Sequence, residues 1–422
     1  MKSLLRMMLG SWLRSGTTLE SELKGFFGGE IDTLPIVTRS YSQVDLPNLE
    51  RAITGYSDKA GVHYRAIGYI SEYSFFQNEL RGLISGQAKI NAPLYREVDI
   101  DVNCQMRCVE NGIHLVEVPE GKVAAHVRFN AMTHGLELEV MATSSEFASS
   151  FLEKIRDAIT ASNVYRGKAI SLECDTRVPG RSGFSNIRFH HFPEVHRDEI
   201  ILPAETLEML ERNTVRYFQN AGVLRQSGRS LKRGLLLHGK PGTGKTYTAK
   251  WLARALPNVT TILISADQLG LIKECCQIAR MLSPALVILE DVDLIAGERD
   301  ESRHPAYQVT LHQLMNEMDG FSSNLEVLFL LTTNRPDVIE SAIAARPGRI
   351  DQAIEFPLPD ADSRKRLLSF YSKGLKMNLE DTEQIIARTE GASPACSQEL
   401  ILKAARIAAE QNTVTVGVIH VA

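Results

Sequence analysis

The sequence has few cysteines, no long hydrophobic run and no excess of positive charge. Its 422 residues contain 6 cysteines, and Cys275 and Cys276 are adjacent. This is too sparse for a disulfide scaffold and fits a reducing compartment, so we expect a cytoplasmic protein. No segment approaches the roughly 18 to 20 apolar residues of a membrane-spanning helix. The 51 acidic residues outnumber the 47 basic ones, so no overall positive field is present and nucleic acid is not an expected partner.

The composition that is present belongs to a folded protein. Hydrophobic residues make up 44% and charged residues 23% of the chain, which is the ordinary range of globular proteins and excludes wholesale disorder. At roughly 150 residues per domain, the length predicts two or three domains. More than one hydrophobic core is therefore expected.

Residues 1–30 are interpreted as an N-terminal amphipathic segment. Its first part, Met1–Leu19, carries basic residues and no acidic one, with apolar residues at helical spacing. Charge interrupts the apolar stretch and no small-residue cleavage pattern follows, which excludes a secretory signal. Three interpretations stay open: a helix that docks on its own domain or on a partner, a transit peptide, and a helix on a membrane surface. A membrane contact is expected only through this segment.

Residues 31–195 are predicted to form an α+β domain with an antiparallel meander. Apolar residues alternate from Val98 to Cys108, which predicts one strand, and further alternating segments follow up to Met141. The period then changes to that of a helix over 145–161, and 168–172 has the pattern of one more strand. No set of catalytic side chains stands out here. This domain is therefore expected to recognise an unknown protein partner or substrate.

Residues 196–360 have a different pattern, in which short apolar runs alternate with helical segments. Buried strands separated by helices predict a parallel sheet with helices on both faces. Residues 361–422 are mainly helical and are expected to form a small lid subdomain. The predicted fold class is therefore α/β with a C-terminal helical lid, preceded by the α+β domain.

A glycine-rich loop between a predicted strand and a predicted helix has the spacing of a phosphate-binding loop, or P-loop. Its glycines let the backbone wrap around a polyphosphate, whose charge then faces N–H groups and the helix N-terminus. We expect Lys245 to reach the phosphates and Thr246 to hold Mg²⁺. The predicted nucleotide-binding residues are Gly239, Lys240, Pro241, Gly242, Thr243, Gly244, Lys245 and Thr246.

A nucleotide site of this kind also needs a carboxylate at the end of a neighbouring strand to fix the metal. Glu290 and Asp291 directly follow the apolar run 286–289, and Asp293 follows closely as a third acid. The two segments together predict a site for a magnesium nucleotide.

Further motifs make the chain resemble the AAA family of ATPases over about Glu199–Ala409; they are MNEMDGF at 315–321, LTTNRPD at 331–337 and ARPGRID at 345–351. The resemblance implies ATP and Mg²⁺ as cofactors, ATP hydrolysis, and a homo-oligomeric ring, hexameric or heptameric. It implies that Asn334 is a polar sensor that helps position the attacking water. It also implies that Arg346 and Arg349 are arginine fingers placed in the next subunit's site, an effect worth about 10³ to 10⁵ in rate in related enzymes.

The acidic pair stands in the reverse of the family's usual order, which is Asp followed by Glu. By position, Glu290 corresponds to the Mg²⁺ ligand and Asp291 to the residue that polarises water. The shorter side chain of Asp291 would have to reach further, and a displacement of ~1 Å can slow catalysis. Slow hydrolysis is therefore an open alternative, although both carboxylates and both arginines of an active enzyme are present.

A second departure from the family concerns the pore of the ring. Protein-threading members grip an extended chain with an aromatic loop, whereas here Gln268–Leu271 runs almost directly into a helix and supplies no aromatic residue. Both departures, together with the preceding meander domain, are similar to the mitochondrial AAA translocases of the folded Rieske protein. The resemblance implies a ring that changes shape as a whole.

The predicted function is that of a ring-forming ATPase that remodels or translocates a protein partner, without aromatic pore-loop threading. One alternative is a nucleotide-controlled assembly scaffold with slow hydrolysis. Another is a DNA-remodelling ATPase, which is supported only by a local basic cluster that a solvated connector would also explain. That cluster consists of Arg225, Arg229, Lys232 and Arg233.

Overall fold

The computed structural model describes residues 17–56, 61–71, 79–130, 135–174, 184–293, 313–336, 350–377, 379–410 and 415–416. These residues form two units that divide between Val164 and Tyr165. Residues 1–16, which carry most of the basic N-terminal segment, lie outside the described residues.

A six-stranded antiparallel sheet forms the centre of the first unit, with strand order β1-β8-β7-β6-β2-β3. Its consecutive neighbours β6, β7 and β8 confirm the predicted meander. The strands are β1 (Ile36–Tyr41), β2 (His63–Ile70), β3 (Lys89–Asn91), β6 (Ile113–Val118), β7 (Gly121–Asn130) and β8 (Gly135–Ala142).

The alternating segment that the sequence predicted as one strand is a hairpin instead. Its strands, β4 (Leu94–Asp101) and β5 (Cys104–Asn111), pair antiparallel with each other. Asn103 in the turn has a φ of 59°, a left-handed conformation that asparagine adopts more readily than most residues. The prediction was wrong because a register shift between Asp99 and Asp101 places Val98 opposite Met106, on the same face of the hairpin. The alternation of apolar residues therefore continues across the turn.

Helices cover both faces of the first sheet: α1 (Leu19–Phe27), α2 (Leu46–Thr54), α3 (Leu80–Ser85) and α4 (Ser145–Ala161). On one face, Leu49 of α2 and Phe151 of α4 are buried against the strands. On the other face, Leu23 of α1 and Leu83 of α3 belong to a separate core. The end of the N-terminal amphipathic segment is therefore packed into this unit.

A seven-stranded sheet forms the centre of the second unit, with strand order β10-β9-β12-β13-β14-β11-β15. All of its neighbouring strands are parallel except β9 and β10. The strands are β9 (Ala169–Cys174), β10 (Phe184–Phe189), β11 (Lys232–His238), β12 (Thr260–Ile264), β13 (Ala285–Leu289), β14 (Val327–Thr333) and β15 (Gln352–Glu355).

The predicted domain boundary at residue 195 lies inside this second unit. β9 pairs in parallel with β12, and β10 pairs antiparallel with β9, so the hairpin extends the sheet. The sequence placed this segment in the first domain because a short apolar run does not reveal which sheet it joins.

Helices lie on both faces of the second sheet, as predicted. Trp251 packs with Leu235 and Ile288 on one face, whereas Phe329 points to the other face and meets Phe321 with ring centroids 5.3 Å apart. The helices are α5 (Ala204–Asn213), α6 (Val215–Gln219), α7 (Ala221–Gln226), α8 (Lys245–Ala255), α9 (Ile272–Met281) and α10 (313–319).

A small helical subdomain follows the sheet and confirms the predicted lid. Leu368, Ile385 and Ile401 form its own core. Its elements are α11 (Ala361–Tyr371), α12 (Leu379–Arg388) and α13 (Pro394–Glu410), with the short parallel pair β16 (Lys376–Met377) and β17 (Thr415–Val416). In the part of the chain that the structure describes, no helix has both the length and the apolar character needed to cross a bilayer.

Candidate nucleotide site

Three neighbouring parallel strands bring the predicted site residues to one edge of the second sheet. β11 is followed by Gly239, β13 by Glu290 and β14 by Asn334, and the three strands are adjacent in the order β13-β14-β11. Because the carboxyl ends of parallel strands meet at the same edge, residues far apart in sequence become neighbours there. The structure therefore brings the P-loop, the acidic pair and Asn334 together.

The P-loop is shaped by glycines in conformations that other residues rarely adopt. Gly239, Gly242 and Gly244 have φ values of 150°, 75° and 97°. A Cβ on Gly239 would lie 2.3 Å from the carbonyl oxygen of Phe356, so only glycine fits there. Helix α8 begins at Lys245 with no acidic residue in its first turn, which leaves its N-terminus open to an anion.

Lys245 is buried at the centre of the site, with 5% of its surface exposed. Its Nζ donates hydrogen bonds to the carbonyl oxygens of Gly239 at 2.8 Å and Lys240 at 3.0 Å, and to Oδ1 of Asn334 at 2.8 Å. Burial lowers the pKa of Lys245, while the nearby charges of Asp291 and Asp293 act in the opposite direction. All three donors of the ammonium group are thus used within the protein, so contact with an anionic ligand would exchange one of these hydrogen bonds.

Asn334 connects Lys245 to two carboxylates. Its Nδ2 lies 3.4 Å from Oδ1 of Asp291 and 3.5 Å from Oδ2 of Asp293, and its main-chain N–H donates to Oδ1 of Asp293 at 2.9 Å. The main-chain N–H of Asp291 donates to Oγ1 of Thr332 at 2.9 Å, and Asp291 has a φ of 47°. The side chain of Asp291 is thus turned towards the cleft, which it lines.

Glu290 and Thr246 form the other pair of oxygen-bearing side chains. The two are hydrogen-bonded to each other. Burial raises the pKa of Glu290, although the charge of Lys250 and the hydrogen bond with Thr246 oppose this. A hydroxyl and a carboxylate are the hard oxygen ligands that Mg²⁺ prefers, so the pair fits the predicted metal.

Two of the predicted site residues, Arg346 and Arg349, lie outside the described residues. Their assignment as arginine fingers stays a prediction.

The site contains residues that the sequence analysis missed. A cleft of about 600 Å³ extends from the P-loop between the segment before α5 and the lid. Tyr247 and Glu199 both line this cleft, and the Tyr247 hydroxyl donates a hydrogen bond to Oε2 of Glu199 at 2.9 Å. These segments carry no motif, and only the fold brings them together. The missed lining residues are Glu199, Ile200, Ile201, Leu202, Tyr247, Leu367, Phe370, Tyr371, Pro394, Ala395 and Gln398.

The lid touches the P-loop directly. The main-chain N–H of Ala395, at the start of α13, donates to the carbonyl oxygen of Gly242 at 3.1 Å. A Cβ on Gly242 would lie 2.8 Å from Cβ of Ala395 and 2.9 Å from Oγ of Ser393. Gly242 is therefore required both for its φ and for this close approach.

Three of the four residues in the basic cluster that supported a DNA-binding alternative contact other residues of the second unit. Arg225 is paired with Glu326. Lys232 donates to the carbonyl oxygen of Met318 at 3.2 Å, and Arg233 donates to Oδ1 of Asn213 at 2.8 Å.

Among the described residues, no group of three or more His, Cys, Asp or Glu side chains could hold a metal ion.

Comparison with known proteins identifies the part of the chain that carries this site. Residues 235–358 match the ATPase family associated with various cellular activities (AAA). The ATP-dependent zinc metalloprotease FtsH of Mycoplasmopsis synoviae is 35% identical over 212 residues, which are 47% of this chain and 32% of that protein. The proteasome-activating nucleotidase of Thermococcus onnurineus is 36% identical over 188 residues, which are 42% of this chain and 47% of that protein.

A second proteasome-activating nucleotidase, from Methanothermobacter thermautotrophicus, is 37% identical over 176 residues. The chain spans less than half the length of these relatives, from 32% to 47%. The narrower resemblance to the Rieske-protein translocases stays a prediction. Residues 235–358 are therefore similar to AAA ATPase domains.

Proposed function

We propose that this chain binds ATP with Mg²⁺ in the cleft, hydrolyses it, and uses the energy, as a homo-oligomeric ring, to remodel or translocate a protein partner. The observation that carries the proposal is the meeting of Lys245, Asn334 and Asp291 at the open side of the P-loop. A buried cation, an amide and a carboxylate at the end of a glycine loop are the groups that phosphoryl transfer requires.

The residues of the P-loop would hold the phosphates. Lys245 would turn one of its donors from a backbone carbonyl to a phosphate oxygen, and the N–H groups at the start of α8 would donate to the same anion. Thr246 and Glu290 would hold Mg²⁺, which screens the negative charge of the phosphates when bound. The cation would also satisfy Glu290, whose pKa burial raises in the absence of such a partner.

Asp291 and Asn334 would orient the water. Asp291 lines the cleft next to Lys245, and Asn334 lies within 3.4 Å of its carboxylate. A carboxylate can accept a proton from water and an amide can fix the direction of the second hydrogen bond. In the same proposal, Arg346 and Arg349 of each subunit complete the site of the next one in a hexameric or heptameric ring.

The partner would be a protein recognised by the first unit, and the motion would involve the whole ring. Residues Ala266–Leu271 form a short 3₁₀-helix that leads directly into α9, which supports the absence of an aromatic gripping loop. A cytoplasmic setting is part of the proposal and is supported by the small number of cysteines, 6 in 422 residues.

A second candidate is a scaffold whose assembly depends on the bound nucleotide and whose hydrolysis is slow. The reversed acidic pair favours it, because Asp291 has a shorter reach than the glutamate usual at its position. DNA remodelling is less well supported, since Arg225, Lys232 and Arg233 are engaged within the unit.

The experiment is a steady-state ATPase and nucleotide-binding assay on the full chain with Lys245→Ala. We expect turnover to fall by about 10² to 10³, as for loss of one donor to a transition-state anion. Lys273→Ala, which removes an exposed lysine from α9, is the matched control and should behave like the unmodified chain. Equal turnover in Lys245→Ala and the unmodified chain would refute the proposal.

Mass photometry separates the two candidates. Assemblies whose mass depends on ATP or ADP, combined with negligible turnover, would favour the scaffold. A mass that is the same without nucleotide, with ATP and with ADP would exclude it.

A further inference from the structure

We propose that Asp293 is a positioning residue for Asn334: it fixes the amide in the single orientation that directs Oδ1 towards Lys245 and Nδ2 towards the carboxylates. This inference rests on the proposed ATP hydrolysis, and it assigns a role to the third acid after β13. Asp293 would not touch the nucleotide itself.

Adjacent strands bring the two residues together in a fixed register. β13 and β14 pair in parallel with Leu289 opposite Leu331. The register continues beyond the strands, because the main-chain N–H of Val292 donates to the carbonyl oxygen of Thr332 at 2.9 Å. The segment that carries Asp293 therefore follows the segment that carries Asn334 out of the sheet.

Asp293 contacts Asn334 at two points, one on the main chain and one on the side chain. Oδ1 accepts the main-chain N–H at 2.9 Å, and Oδ2 lies 3.5 Å from Nδ2. One carboxylate thus holds both the backbone and the amide of the same residue. Two anchors of this kind restrict the rotamers that Asn334 can adopt.

The surrounding charges select one of the two amide orientations. Nδ2 lies between the carboxylates of Asp291 and Asp293, while Oδ1 lies 2.8 Å from the ammonium group of Lys245. A reversed amide would place its oxygen against two carboxylates and its NH₂ against a cation, since a lysine ammonium offers donors only. In the proposed reaction Asp291 has to act on water, so Asp293 is the carboxylate that can stay with Asn334 throughout.

The test is Asp293→Asn in the full chain. This change keeps one oxygen to accept the main-chain N–H of Asn334, but it replaces the other by an NH₂ group that opposes Nδ2. The two NH₂ groups repel each other, so the amide of Asn334 should be displaced from its position between Lys245 and Asp291. We expect kcat to fall by about tenfold to a hundredfold, the range for a small misplacement of a catalytic group. The Kd of a slowly hydrolysed ATP analogue should stay within about threefold, because the P-loop is unchanged.

A double-variant cycle distinguishes positioning from a general structural effect. If Asp293 acts through Asn334, adding Asp293→Asn to Asn334→Ala should change kcat by less than about twofold. Asp362→Asn is the matched control, because Asp362 is an exposed acid on α11 and should leave kcat unchanged. Thermal unfolding of each variant verifies that the fold is retained.

Three outcomes would overturn the inference. Asp293→Asn could leave kcat unchanged, it could lower kcat to the same extent with and without Asn334, or it could abolish binding of the analogue. If the unmodified chain itself shows no turnover, the proposed function fails together with this inference. Turnover in the unmodified chain combined with any of the three outcomes removes only the role of Asp293.

Discussion

Each unit contains one buried polar cluster, and the two clusters differ in what surrounds them. In the first unit, Glu139 and His126 are both almost fully buried, with 5% and 1% of their surface exposed. In the second unit, Lys245 is just as deeply buried, yet it lines a cleft of about 600 Å³ together with Asp291. A buried charged group alone therefore does not indicate a functional site. A buried charged group that lines an open cleft is a better candidate.

The cluster of the first unit is satisfied by the protein itself. One oxygen of Glu139 accepts the main-chain N–H of Leu80 at 2.7 Å and lies 3.1 Å from Nδ1 of His126. The other lies 3.4 Å from Nε of Arg128, and Nε2 of His126 lies 2.9 Å from the hydroxyl of Tyr69. These contacts join β7, β8 and α3. The cluster is therefore a structural connection between a helix and the sheet.

The pKa values of the two buried glutamates, Glu139 and Glu290, are shifted in opposite directions. Burial disfavours the charge of Glu139, but His126, the N–H of Leu80 and Arg128 together hold its pKa below the ordinary value. Burial likewise disfavours the charge of Glu290, and there the partners are insufficient, so its pKa is raised. The structural carboxylate has its counter-charges inside the fold, whereas in the proposed function Glu290 would gain a counter-charge from the bound cation.

The largest effect on stability should come from Glu139→Ala. The change leaves the N–H of Leu80 and Nδ1 of His126 without their buried acceptor, while Arg128 keeps its pair with Glu137. Removing one member of a buried pair costs about 3 to 5 kcal/mol. Urea unfolding followed by circular dichroism would measure the loss. Nucleotide binding should be unchanged, because this cluster has no part in the cleft.

Glu97→Ala is the control for this prediction, since Glu97 is an exposed glutamate on β4 of the same unit. Its effect should stay within about 0.5 kcal/mol. If the two variants were equally stable, Glu139 would not be the connection between α3 and the sheet.

Much of the predicted site could be assembled from the sequence because its signals are local. The P-loop spacing and the acids after β13 each lie within a few residues, and parallel strands bring their ends together in any fold of this class. Asn334 was predicted through a family resemblance rather than through its surroundings. Its contacts with Lys245 and Asp293 could not be read from the sequence, because they depend on the register of β13 and β14.

The parts that the sequence missed depend on contacts between distant segments. Ile200 and Phe370 line the same cleft although they lie far apart in the sequence, and neither belongs to a motif. β9 was assigned to the wrong domain for a similar reason, since its partner β12 lies far along the chain. Hydrophobic patterns predict that a segment is buried but do not identify what covers it.

Gly242→Ala should have an intermediate effect, confined to the site. The new Cβ would meet Ala395 at 2.8 Å and Ser393 at 2.9 Å, at a φ of 75° that alanine adopts only with strain. Strain of this kind costs about 1 to 3 kcal/mol. We expect the lid to separate from the P-loop and the Kd for ATP, measured by calorimetry, to rise by about tenfold to a hundredfold.

Gly222→Ala is the matched control for the glycine variant. Gly222 lies within helix α7, and a Cβ there would meet nothing within 4 Å. Alanine also favours a helix over glycine by up to about 1 kcal/mol, so this variant should be as stable as the unmodified chain or slightly more so. An unchanged Kd in Gly242→Ala would show that the lid does not depend on this close approach.

The smallest effect should come from Glu290→Gln, which is expected to raise the stability of the nucleotide-free chain rather than lower it. Because the pKa of Glu290 is raised in the folded state, the stability that its protonated form contributes is present at low pH and is lost as the pH rises through that pKa. Glutamine resembles the protonated form at every pH. We therefore expect the nucleotide-free variant to melt about 1 to 3 °C higher than the unmodified chain at neutral pH, with the difference shrinking on acidification.

The same variant should lose the further rise in melting temperature that Mg²⁺ adds to ATP, since a neutral amide is a weaker ligand. A lower melting temperature without nucleotide would mean that the charge of Glu290 is already compensated within the fold, as that of Glu139 is, and the contrast between the two clusters would not hold.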